Sequence, residues 1–132
     1  MKTNTLMFAL GDYAAGGATG AATALAVHAV IGPHVDLSLA MLLGMAVGMV
    51  VHVPIGLLFS PMLGMFHVMV PGTLIGMYGG MMFAMRDAMQ HGQAAHTVGV
   101  GVVFGVLVTA GVHLYDRTLT GGAPATLASG GA

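Results

Sequence analysis

Four long apolar blocks alternate with short polar or turn-forming interruptions along this chain of 132 residues. A bilayer core of roughly 30 Å takes about 20 residues of helix to cross, and each block is long enough to do so. The first predicted span covers 6–31. Its most uniform part runs from Ala14 to Ile31, and it stops at Gly32-Pro33-His34, where proline cannot continue a helix. Asp36 stands where a carboxylate caps the second span, 37–59. Ser60-Pro61 reads as a tight turn that sets Pro61 at the first position of the third span, 61–85, which Pro71-Gly72 should bend or break. Arg86 to His96 is a polar loop, and the fourth span covers 97–115 before Asp116-Arg117. The expected fold is all-α: a four-helix transmembrane bundle over residues 1–117, followed by a small, polar tail, 118–132. The alternative has three spans and a re-entrant or broken helix around Pro54–Pro61.

Composition agrees with the pattern. Seven residues are charged and 57% are hydrophobic; a soluble domain carries about 25% charged residues, so this chain cannot cover a water-exposed surface. A net charge near zero without a basic cluster excludes nucleic acid as a partner. The absence of cysteine excludes disulfides, thiolate metal sites and cysteine catalysis. The N-terminal MKTNTLMFAL has the lysine and apolar run of a leader, but Asp12 interrupts it early, so it reads as part of the first helix. With both ends of an even-span bundle on one side, Lys2 and Arg117 outweigh Arg86 opposite them. This favours cytoplasmic termini, in a bacterial inner membrane.

Glycine, methionine and histidine carry the remaining information. Gly16–Gly20, Gly44–Gly48, Gly72–Gly76–Gly80 and Gly101–Gly105 place a small-xxx-small pair on every span, a spacing that lets helices approach closely in lipid. With 22 glycines such pairs also arise by chance, so their spacing alone decides nothing. The methionines differ. Eleven of the thirteen lie between Met41 and Met89, and they recur at spacing four more often than shuffling that stretch would produce. Met41, Met45 and Met49 form one stripe; Met77, Met81, Met85 and Met89 form another. Thioethers are soft ligands suited to Cu(I), and they are also flexible apolar filler.

One histidine falls inside each span: His28, His52, His67 and His113. Ionisable residues in a bilayer are costly and mark functional sites by default. At 1.5 Å per residue, His52 lies roughly 10–12 Å before the Ser60 turn and His67 roughly 9–10 Å after it. His113 stands close to the Asp116 exit, and the up-down topology puts all three in one leaflet with Asp12. The expected metal site is therefore Asp12, His52, His67 and His113, with Met45 and Met49 leading to it. Three imidazoles and a carboxylate suit copper, and also zinc, iron or manganese. Asp12 has a plainer role open to it as the N-cap of a helix starting at Tyr13.

The function expected from these residues is binding or transport of a soft transition metal, copper first, by a homo-oligomer in the bilayer. The alternative is an accessory subunit of a larger respiratory, photosynthetic or oxygenase complex, its histidines serving a cofactor such as haem or a neighbour. No hydrolase triad, phosphate loop or intramembrane carboxylate pair is present. With almost no mass outside the membrane, catalysis by this chain alone is not expected.

Overall fold

In a computed structural model, the backbone is described for residues 2–90 and 93–122; the side chains of residues 2, 3, 65–67 and 120–122 lie outside the description. The tail beyond 122 and His91 fall outside it too. The described residues form α1 (Lys2–Val30), α2 (Leu37–Leu63), a third rod and α5 (Ala94–Gly122). The third rod is composite: α3 (Met65–Leu74), a π-helical turn (Ile75–Gly79) and α4 (Gly80–Met89). The architecture is the expected all-α bundle of four helices. Leu37–Leu63, Val68–Met89 and Ala94–Leu119 are each long and apolar enough to cross a membrane. The exterior of the bundle is studded with exposed Leu, Val and Met side chains, including Leu42, Val50, Leu58 and Leu107. This is a membrane protein, with lipid as the solvent of its outer surface.

Boundaries differ from expectation at several places: α4 carries Arg86 and Asp87 on to Met89, and α5 begins at Ala94 and runs to Gly122, past the start of the expected tail. The turn expected at Ser60-Pro61 lies at Gly64, because α2 runs on through Pro54 and Pro61. Proline removes one backbone hydrogen bond, which a membrane helix tolerates. What stops α2 is Gly64 at φ 85°, a left-handed geometry that favours glycine. Its N–H donates to the Ser60 carbonyl at 3.0 Å. The third rod is not broken at Pro71-Gly72 either. Its irregularity comes just beyond, at the π turn, which takes in Gly76 and Gly79. One proline and three glycines within nine residues, 71–79, lower the cost of leaving α geometry. Asp36 caps α2 as expected, its carboxylate accepting from the Ser38 N–H at 3.2 Å.

The four rods are assembled by glycine. α1 packs along α5, and α2 packs along the third rod, while α1 also touches α2 and all three parts of the third rod. At the first seam Gly16 faces Gly105 and Gly20 faces Gly101; at the second Gly44 faces Gly80 and Gly48 faces Gly76. A Cβ at any of these positions would press on the backbone opposite. The small-xxx-small pairs thus mate in antiparallel register, which is how lipid-embedded helices gain van der Waals contact. Near the loop end, Ala24, Val27, Ile31, Ala40, Phe83 and Ala84 form a buried apolar core. The Phe83 and Phe104 rings meet edge-on there, with centroids 5.7 Å apart.

Candidate functional site

Inside the bundle two carboxylate–imidazole pairs lie toward opposite ends of α1. At the end shared by the start of α1 and the end of α5, Asp12 Oδ2 is 3.1 Å from His113 Nε2. Asp12 is 8% exposed, and the Tyr13 ring stacks on His113 at 5.6 Å. Asp12 sits mid-helix, since α1 begins at Lys2, so it is not an N-cap. At the other end His28 Nδ1 is 3.0 Å from Asp87 Oδ2, and Asp87 is 1% exposed. Sixteen residues separate Asp12 from His28, about 24 Å of rise, which spans most of a bilayer core.

Each aspartate gives one oxygen to its histidine. Its second oxygen, Oδ1, is buried without a hydrogen-bond partner. Buried polar groups are normally satisfied, so two orphaned carboxylate oxygens in an apolar bundle point to use rather than to packing. The Asp12 pair also borders space. A cavity of about 280 Å³ is lined by Asp12, Pro71, Thr109, His113, Tyr115 and Asp116, among others. A void of about 10 Å³ lies deeper, between Asp12, Gly16, Thr19, Pro71 and Gly72. That is room for about one water molecule beside a carboxylate and a hydroxyl.

Hydroxyls continue the polar line. Thr19 and Thr109 are buried and donate to their own helix carbonyls, Ala15 at 2.7 Å and Gly105 at 2.9 Å. Each retains lone pairs to accept a further bond. Thr23 is fully buried and its Oγ1 has no partner. Thr19 shares the void with Gly72, and α1 runs parallel to the third rod. One turn further along both, Thr23 is level with Gly76 in the π turn. Such turns are frequent at functional sites.

The expected site residues divide between these features. Asp12 and His113 come together. His52 is at matching depth but apart: it is buried at the α2 seam, its ring resting on Gly72. Its Nε2 is 3.5 Å from Thr73 Oγ1. Thr73 donates its own proton to the Met69 carbonyl at 2.6 Å, so His52 is the donor in that contact. His52 Nδ1 has no partner. The side chain of His67 lies outside the described residues. Among the described residues no three His, Asp or Glu side chains are grouped closely enough to hold a metal ion. Met45 and Met49 are not on the inner line. His52 continues the Ala40–Gly44–Gly48 seam, whereas Met45 is half-buried and Met49 exposed on the adjoining flank.

Sequence reasoning missed the His28–Asp87 pair. The signal was Asp87 standing four residues past Phe83 and eight past Gly79, on one inward stripe. No protein-family model, curated protein or solved structure matches this chain.

Proposed function

We propose that this protein moves protons through the interior of its bundle, with Asp12–His113 and His28–Asp87 as the two ends of the relay. The observation that carries the reading is the two buried aspartates, each paired to a histidine through one oxygen and orphaned at the other. Asp/His chains inside a membrane are what proton relays are built from. A proton enters from the cavity beside Asp116 and His113 and is held by Asp12. It passes through one water-sized void to the Thr19 and Thr23 hydroxyls and is taken up by the His28–Asp87 pair. At that end Arg86 donates to His96 Nδ1 at 2.6 Å on the exposed rim. At 1.5 Å per residue, Thr19 to Thr23 and Thr23 to His28 are about 6 and 7–8 Å of rise, so each of these steps runs through a water that enters with the proton. Every transfer is between oxygen or nitrogen lone pairs, with no redox partner.

We place the Asp12–His113 end toward the cytoplasm of a bacterial inner membrane, following Lys2 and Arg117. The reading applies equally to a homo-oligomer and to a subunit of a larger membrane complex.

The test is proton flux into liposomes holding the purified protein and a trapped pH-sensitive dye, driven by a potassium–valinomycin potential. Acidification above protein-free vesicles is expected, falling to the protein-free rate in Asp12→Asn and in Asp87→Asn. Wild-type flux equal to empty vesicles would sink the proposal.

A further inference from the structure

A second chemistry lies on the opposite flank of α2 and the third rod. At their seam Gly44 faces Gly80 and Gly48 faces Gly76. On both helices a methionine follows each seam glycine by one position: Met45, Met49, Met77 and Met81. On the third rod the residues one position before the seam turn inward, and Ile75, Gly79, Phe83 and Asp87 are all buried. On α2, Val47 packs on the core, whereas Leu43, one turn earlier, is 36% exposed. Two positions along an α-helix turn it by about 200°, so the methionines point away from that side on each helix. An antiparallel pair has an approximate two-fold axis perpendicular to the plane of its helices. Equivalent positions therefore fall on the same flank. The glycine register sets Met45 across from Met81 and Met49 across from Met77, and one turn further out Met41 across from Met85.

Burial agrees with this placement. Met41, Met45, Met77 and Met81 are half-buried, while Met49 and Met85 are 39% and 36% exposed. The six thioethers thus border the seam without entering it. The same seam carries His52 one turn past Gly48, with Nδ1 unpartnered.

From this we infer a ladder of paired thioether sites for a soft monovalent cation, Cu(I) by chemistry, along the outer flank of α2 and the third rod. Thioethers are soft, neutral donors and select Cu(I) over harder ions. The cost of taking an ion out of water rises with the square of its charge, so uncharged ligands in an apolar setting favour a single charge over two. Seam glycines hold the two backbones close, which brings facing methionines within a common neighbourhood. A third of the sulfur row reaches the surface, and this gives an ion a way on and off. The inference is independent of the proton relay, since none of these residues titrates.

Competition for Cu(I) against a coloured cuprous chelator, with protein in detergent, tests it. The native chain is expected to withdraw more than one ion per chain. Met41, Met45, Met49, Met77, Met81 and Met85 all changed to leucine should withdraw essentially none. Leucine conserves volume and the fold, which circular dichroism and elution volume check. Met7 and Met62, exposed and not on the ladder, changed to leucine should leave binding intact. The inference is overturned if the native chain fails to compete, if the six-leucine chain still binds, or if the off-ladder set loses binding equally.

Discussion

Gly48 and Gly76 face each other with no side chain between them: a Cβ on Gly76 would stand 2.8 Å from the Gly48 carbonyl oxygen, and one on Gly48 would meet Gly76 closer still. The opposing atoms are backbone and cannot swing aside. Gly48→Val is therefore expected to cost about 1–3 kcal/mol or more, by forcing the helices apart. Gly20→Val at the other seam should do the same. Gly99, with open space around it, makes the control: Gly99→Ala should be neutral, or stabilising by about 0.5–1 kcal/mol. Denaturant unfolding in mixed micelles reads all three.

The His28–Asp87 contact predicts a coupling. Asp87→Leu leaves His28 short of its carboxylate and should destabilise by about 1–3 kcal/mol. His28→Leu alone should cost a similar amount. The double variant should lose less than the sum, because no buried polar group is then left behind. Additive losses in a double-mutant cycle would show that the two side chains do not act on each other.

Thr23 separates stability from function. Its hydroxyl is buried without a partner, so Thr23→Val removes an unsatisfied group while keeping shape. The variant should unfold at the same denaturant concentration or a higher one, by up to about 1 kcal/mol, and yet slow proton flux. A variant that is destabilised, or that conducts like the native chain, counts against Thr23 as part of the relay.

Cysteine cross-linking checks the helix pairing. A Cβ at Gly17 would be 3.7 Å from Val106 Cγ2, within the reach of a disulfide. The chain has no native cysteine, so Gly17→Cys with Val106→Cys should cross-link α1 to α5 in membranes under mild oxidant. Val50→Cys with Leu107→Cys should not, because both side chains point outward and α2 does not pair with α5. Mobility on a denaturing gel distinguishes the two.

The spans were readable because hydrophobic length is nearly all a membrane helix requires. The turn at Gly64 was not, since Pro61 is a strong stop signal in water and a weak one in lipid. The glycine pairs were discounted as chance, one helix at a time. Their information lies in antiparallel complementarity between helices, which becomes visible only when Gly44–Gly48 is laid against Gly76–Gly80. Depth arguments brought Asp12 and His113 together correctly. The same argument put His52 beside them because depth carries no angle: His52 faces the third rod, and Gly72 is under its ring. Asp87 was assigned to a loop because Arg86 precedes it, although its place on the Gly79–Phe83 stripe turns it inward.

The π turn at Ile75–Gly79 acts as a dial on everything that follows it. A π turn holds about one residue more than the α turn it replaces. Were the same residues to rewind as plain α-helix, the surplus residue would pass into α4 and rotate it by about 100°. Asp87 would swing off His28, and Met81 and Met85 would leave the flank they share with Met41 and Met45. By absorbing that residue, the wide turn sets the azimuth of both the inner acid and the outer sulfurs, so the winding of Ile75–Gly79 governs both sites at once.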